Sequence, residues 1–170
     1  YVSEHCFIEG APRRIGVELE WLLRFAEDAR SPITRELSRS VVLPMEEAGP
    51  LPGGGHVTRE PGGQVEISSS PADSLAECIA DVTSDLAAVR GELASHGLVI
   101  EGGGLDASRA PRLIVDDRRY RAMTAYYDDN EAAYPLMCGT ASVQVNLDAG
   151  EADGVLGHRR RWALAHRLGP

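Results

Sequence analysis

The chain has only three cysteines, Cys6, Cys78 and Cys138, an odd number with no C-x-x-C pair among them. That argues against a disulfide framework and predicts a reducing, cytoplasmic setting. No apolar run approaches the length of a membrane span, and the N-terminus carries no signal-peptide pattern, so no membrane partner is expected. Basic residues are in the minority, 17 against 26 acidic ones, for a formal net charge of −9, which argues against a broad nucleic-acid surface. Gly53-Gly54-Gly55 is not followed by Lys-Ser/Thr at P-loop spacing, and neither H-E-x-x-H nor a nucleophile elbow occurs. Zinc-protease, serine-hydrolase and P-loop chemistry therefore have no footing, and no covalent enzyme intermediate is expected.

What remains is ordinary in bulk. The 170 residues are 43% hydrophobic and 25% charged, enough for about one globular domain with a real core. The first residue is Tyr1 and the last three are Leu168-Gly169-Pro170, so both ends read as cut.

Three segments share one unusual pattern. In Ile15–Trp21 the apolar residues Ile15, Val17, Leu19 and Trp21 alternate with Gly16, Glu18 and Glu20, which predicts a strand ending near Trp21. Two carboxylates two residues apart on a strand lie on one face, roughly 6.5–7 Å apart by strand rise. In Gln64–Ser68, Val65 and Ile67 oppose Gln64, Glu66 and Ser68, just after a Pro61-Gly62-Gly63 turn that follows Glu60. In Ala141–Asp148, Val143, Val145 and Leu147 oppose Ser142, Gln144, Asn146 and Asp148. Asn and Gln are poor strand formers, so their use here needs a reason.

The helices are simpler. Ser74-Leu75-Ala76-Glu77 is a capping box, followed by apolar residues at Leu75, Cys78, Ile79, Val82, Leu86, Val89 and Leu93 and a stop at Gly97. Leu98-Val99-Ile100 predicts a short strand. Asp116–Tyr127 predicts a helix with Tyr120, Met123 and Tyr127 on one face and a basic cluster at Arg118, Arg119 and Arg121 that suits an anionic ligand. From Glu151 a last helix is expected, its apolar content in Val155, Leu156, Trp162, Ala165 and Leu168. Glu101 and Asp106 carry no specific expectation.

If the apolar faces of the three strands pack on the helices, the polar faces line a common surface of Glu18, Glu20, Glu60, Gln64, Glu66, Gln144 and Asn146. An oxygen-rich set without convergent His or Cys suits a hard cation, Mg²⁺ or Mn²⁺, whose remaining ligand is commonly a nucleotide phosphate. Mg-ATP chemistry without a P-loop follows, with the substrate open.

Four motifs add a family resemblance. Gly16-Val17-Glu18-Leu19-Glu20, Glu60-Pro61-Gly62-Gly63-Gln64-Val65-Glu66-Ile67-Ser68, Arg119-Tyr120 and Thr140–Asp148 resemble those of glutamate–cysteine ligases of the plant and actinobacterial type, in particular the ergothioneine-pathway form. The resemblance implies a glutamine-synthetase-like α+β fold, a curved antiparallel sheet around the active site with helices on its back. Residues 1–170 would be the N-terminal part of one catalytic domain, incomplete at its C-terminus. It implies that ATP phosphorylates the γ-carboxylate of L-glutamate and that L-cysteine then attacks, giving γ-glutamylcysteine, ADP and phosphate. Glu18, Glu20, Glu60 and Gln64 become candidates for the chemistry, and Glu18, Glu20, Glu60 and Glu66 for Mg²⁺ or Mn²⁺. Gln144, Asn146, Arg119 and Tyr120 become candidates for substrate contact, with further ATP ligands expected beyond Pro170. Arg59 stands where the family usually has an apolar or aromatic residue, which predicts disturbed strand packing. Two other readings stay open: a ligase with a different amine acceptor, and a non-catalytic domain that binds an amino acid or a metal.

Overall fold

The computed structural model describes residues 10–127, 130 and 132–169. Cys6 and Pro170 lie outside them. The elements in order are strand β1 (Ile15–Phe25), helix α1 (Arg35–Leu37), a π-helical turn (Ser38–Val42), and helix α2 (Leu43–Glu47). Strands β2 (His56–Arg59) and β3 (Val65–Ser68), helix α3 (Leu75–Ser95), and strands β4 (Leu98–Glu101) and β5 (Gly104–Leu105) follow. The chain continues through helices α4 (Arg118–Tyr126) and α5 (Ala133–Cys138), strands β6 (Thr140–Ala141) and β7 (Val143–Leu147), and helix α6 (His158–Leu168). The architecture is α+β with antiparallel pairing throughout the two sheets. Among the described residues no helix is long and apolar enough to cross a membrane.

β1 is the spine. Glu18–Trp21 pair with β3 on one edge, while Ile15–Leu19 pair with β7 and Leu22–Phe25 with β4. The strand therefore runs four residues past the expected end near Trp21. The helical spacing of Leu19, Leu22, Leu23 and Ala26 is overridden because β4 supplies a ladder for Leu22–Phe25 and buries Leu22 and Leu23.

α3 forms as its sequence dictates. Ser74 Oγ accepts from Glu77 N at 3.1 Å, while Glu77 Oε2 accepts from Asp73 N at 3.0 Å. Val89 and Leu93 pack the helix onto β1, β3 and β4, against Leu23, Val65, Ile67 and Leu98, and Cys78 is buried beside Ser69. Each such fully buried aliphatic side chain contributes about 1.5–3 kcal/mol. Leu75 and Ile79, expected on the packed face, stay exposed at its first turns. On the same helix the fully buried Asp85 accepts from Gly53 N at 2.6 Å and Gly55 N at 3.0 Å, so the triple glycine is an anchored loop leading into β2.

Two packing expectations are corrected. Val143, Val145 and Leu147 are not packed under α3; they are 68%, 59% and 60% exposed, because α3 reaches β1, β3 and β4 but stops short of β7, and only Leu147 shares an open apolar cavity with α6. None of the apolar residues of α6 is buried either. Arg59 does not disturb its strand: it holds register with Val65 and its guanidinium pairs with Glu46 of α2.

Candidate functional site

The polar face of the sheet is a row of carboxylates fixed by register. Glu20 of β1 stands opposite Glu66 of β3, and Glu18 stands opposite Ser68 on one side and Gln144 on the other. Side chains directly opposite in an antiparallel pair share a face, with Cβ atoms roughly 4.5–5.5 Å apart, and like charges there repel.

The amides of β7 answer that repulsion on one side. Gln144 Nε2 donates to Glu20 Oε1 at 3.2 Å, and Asn146 Nδ2 donates to Glu18 Oε1 at 3.0 Å. Ser142 N donates to Glu20 Oε2 at 3.0 Å. Each amide reaches diagonally to the carboxylate one pleat along rather than straight across. On the other side Thr58 and Ser68 hydroxyls donate to the same oxygen, Glu66 Oε1, at 2.9 and 3.0 Å. Among the described residues Glu18 Oε2, Glu66 Oε2 and both oxygens of Glu60 have no hydrogen-bond partner.

Glu60 is the electrostatic centre. Its carboxyl is pushed up to about 7, first by burial, then by the negative charges of Glu66 and Glu20, with a smaller push from Glu18 and a partly opposing pull from Arg119. Four carboxylates therefore sense one another across β1, β3 and the turn.

That turn is held from two directions. Gly63 has φ +81°, the left-handed region, and a Cβ on Gly62 would lie 1.9 Å from the Cys138 carbonyl oxygen. Gln64, expected on the open polar face, is instead 3% exposed, with both ends of its amide used. Its Oε1 accepts from Gly62 N at 2.8 Å and its Nε2 donates to Thr140 O at 2.9 Å. Gln64 thus ties the turn that follows Glu60 to β6.

The turn also fixes the helix that carries Arg119 and Tyr120. Pro61 O accepts from Ile114 N at 2.7 Å and Val115 N at 3.0 Å, two residues before the Asp117 cap of α4. Asp117 accepts from Arg119 N at 2.6 Å and Tyr120 N at 3.2 Å. The Arg119 guanidinium lies 5.7 Å from the Tyr120 ring centre. The Tyr120 hydroxyl is pushed up to about 12 by burial and by Glu60, so it stays protonated and is available as a donor.

Glu60, Glu66, Arg119 and Tyr120 line one cavity of about 560 Å³. Glu18, Glu20, Gln144 and Asn146 continue the row outside it. The cavity is also lined by Arg59 and by residues that carried no sequence expectation, Arg35, Ser38 and Arg39 among them. Only the helical spacing of Arg35, Ser38 and Arg39 could have drawn attention to them.

Glu101 and Asp106 do structural work elsewhere. Both pair with the buried Arg24, and Asp106 also pairs with Arg109 at 2.7 Å. Burial would raise the Asp106 carboxyl, but hydrogen bonds from Ser108 and Arg109 outweigh it and hold the group well below the usual carboxylate range.

As a cation site the row fits in donor chemistry and charge: oxygen only, several unused carboxylate oxygens, and repulsion concentrated on Glu60. Among the described residues no three acidic, His or Cys side chains are gathered tightly enough to close a metal shell by themselves.

A family model described as Glutamate-cysteine ligase family 2 matches residues 14–170. The glutamate–cysteine ligase EgtA of Mycobacterium tuberculosis H37Rv is 37% identical over 173 residues, covering 100% of this chain and 39% of that protein. EgtA of Mycolicibacterium smegmatis is 36% identical over 174 residues, covering 100% and 40%. The chloroplastic glutamate–cysteine ligase of Arabidopsis thaliana is 33% identical over 112 residues, covering 64% of this chain and 22% of its own. The chain thus spans about 39% of the length of the actinobacterial relatives it matches.

Proposed function

We propose that this chain, which belongs to glutamate–cysteine ligase family 2, carries the cation- and glutamate-binding wall of an ATP-dependent ligase. The reaction joins the γ-carboxylate of L-glutamate to the amine of L-cysteine, the ligation in the relatives' name, and on the motif resemblance we assign it to ergothioneine formation. The observation that carries this reading is the Glu20–Glu66 juxtaposition beside the half-buried Glu60, a concentration of like charge that a bound cation would offset.

Chemically, the γ-phosphoryl group of ATP passes to a γ-carboxylate oxygen of glutamate, giving an acyl phosphate and ADP. The cysteine nitrogen then attacks the acyl carbon, the carbon–oxygen bond to phosphate breaks, and the nitrogen loses a proton. A bound Mg²⁺ or Mn²⁺ would spread the phosphate charge. Glu18, Glu20, Glu60 and Glu66 would hold it. Gln144 and Asn146 keep Glu20 and Glu18 aimed along the row, and Gln64 locks the turn that presents Glu60. Arg119 and Tyr120 offer donors to a substrate carboxylate or phosphate from the cavity side. The α+β frame would be the N-terminal part of a glutamine-synthetase-like catalytic domain whose sheet curves about the site. Segments equivalent to the rest of the relatives' length would cover the bare face of Val143, Val145 and Leu147 and supply ATP contacts.

The test is ADP release from Mg-ATP, with and without glutamate and cysteine, by this chain and by a protein of the relatives' length that contains it. Release that needs both amino acids supports the ligase. Release that persists when another amine replaces cysteine, but not with cysteine itself, redirects the acceptor. No release from a folded protein of the relatives' length sinks the reading.

A further inference from the structure

We propose that Asp106 is a positioning residue for the candidate site: it is the joint from which both segments that clamp the Pro61–Gly63 turn depart, and so it sets Arg119 and Tyr120 against Glu60. That the site belongs to a ligase rests on the reading above; the joint rests on hydrogen bonds and packing outside the cavity.

The Asp106 carboxylate collects donors from its own loop and from the sheet. Oδ1 accepts from Ser108 N at 2.9 Å, Ser108 Oγ at 2.7 Å and Arg109 N at 3.2 Å, which folds the chain after β5 into a tight turn. Oδ2 accepts from Arg109 Nε at 2.7 Å. The Arg24 guanidinium of β1 closes on both oxygens, at 3.4 and 3.3 Å. The Arg24 and Asp106 side chains are each 6% exposed. Arg109 carries the contact onward, its Nη1 donating to Leu23 O of β1 at 2.9 Å.

A turn needs only the bonds to Ser108 and to Arg109 N. The two guanidiniums exceed that need, and a buried ion cluster is a poor source of net stability because desolvation offsets its attraction. What the cluster fixes is geometry, and two segments depend on it. In one direction Asp106 N donates to Gly139 O at 2.7 Å, next to Cys138, whose carbonyl closes over Gly62. In the other the chain runs from Asp106 to Ile114 and Val115, whose N–H groups both donate to Pro61 O. The turn after Glu60 is therefore gripped by two segments with a common root.

Packing joins the same points. Asp106, Arg109, Gly62 and Ile114 line one small cavity of about 40 Å³, and Ile114 also lines the large cavity with Glu60, Arg119 and Tyr120. Just beyond Val115, Asp117 caps α4. A displacement of the loop at Asp106 is thus passed to the start of the helix that carries Arg119 and Tyr120.

The experiment compares Asp106→Asn with the parent 170-residue chain by amide hydrogen exchange and by the ring carbon signals of Tyr120. The variant keeps the side-chain shape and an acceptor for Ser108 N but withdraws the charge that faces Arg24 and Arg109. Exchange at Ile114 and Val115 should quicken about tenfold, a larger factor than at Val89 of α3 or Ile67 of β3. The Tyr120 ring signals should move as well. Val89→Ala, which opens a cavity in the main core, should do the reverse: faster exchange at Ile67 and unmoved Tyr120 signals. If Asp106→Asn does not fold, Arg109→Lys replaces it. That variant keeps a charge beside Asp106 but loses the fork that also reaches Leu23 O, and Ile114, Val115 and Tyr120 should respond in the same way. In a protein of the relatives' length Asp106→Asn should lower kcat/KM about 10- to 100-fold, the effect of misplacing groups that orient a substrate. Equal acceleration at all of these amides, Tyr120 signals at their parental positions, or an undiminished kcat/KM overturns the joint. If the amides and Tyr120 respond as expected but the parent protein of that length releases no ADP, the ligase reading fails and the joint stands.

Discussion

Glu20 and Glu66 face each other as register partners across β1 and β3, two carboxylates where a sheet ordinarily places complementary charges. Glu66 takes both of its hydroxyl donors, from Thr58 and Ser68, on Oε1 alone. Glu66→Gln therefore keeps these two hydrogen bonds while removing one of the opposed charges. The variant should be more stable than the parent by about 0.2–1 kcal/mol without divalent ions, the usual size of a cross-strand pair term. With Mg²⁺ present the order should reverse. Urea unfolding with and without Mg²⁺ measures both; a variant less stable in both conditions contradicts the repulsion.

Glu60 gives the pH dependence. Its carboxyl, ordinarily near 4.5, rises to about 7 in the folded chain because of burial and then the neighbouring carboxylates. A raised carboxyl binds its proton more tightly in the folded state, so the folded state loses stability as pH climbs from about 4.5 through 7. Glu60→Gln removes that loss and should gain on the parent between pH 5 and pH 8, by an amount on the order of 1 kcal/mol after solvent screening. Carbon-13 titration of the Glu60 carboxyl should show a midpoint near 7 in metal-free protein and a lower one with Mg²⁺. A midpoint in the ordinary range without metal would remove Glu60 from the centre of the site.

The turn after Glu60 should tolerate almost nothing. A Cβ at Gly62 would meet the Cys138 carbonyl at 1.9 Å, so Gly62→Ala has to move backbone and should cost about 1–3 kcal/mol. Gln64→Leu strands Gly62 N and Thr140 O, a loss of about 1–3 kcal/mol for each group left buried and unpaired. Calorimetric unfolding reads both, and near-parental melting of Gln64→Leu would show that the amide is not what holds the turn.

Much of this frame was legible in the residues because local signals agreed with tertiary ones. The capping box at Ser74 and the period of Cys78, Val89 and Leu93 gave α3; the alternation in Val65–Ser68 and Val143–Leu147 gave β3 and β7. What stayed hidden depends on partners distant in sequence. β1 reaches Phe25 because β4 lies alongside, and Gln64 turns inward because Gly62 and Thr140 bind its amide. Alternation marked Val143, Val145 and Leu147 as one face, but alternation cannot say whether a helix covers it. The carboxylates of the site were visible as motif residues, whereas Arg35, Ser38 and Arg39 sit in a proline-punctuated stretch that carries no motif.

The central claim is that the Glu18–Glu20–Glu66 row with Glu60 binds a divalent cation. Titration of the chain with Mn²⁺, followed by the electron paramagnetic resonance of the free ion, tests it directly at neutral to mildly alkaline pH. The account predicts one saturable site that Mg²⁺ displaces, weakened at least tenfold in Glu20→Gln and in Glu66→Gln. Binding unchanged in both variants, or no saturable binding by a folded parent chain, would contradict it.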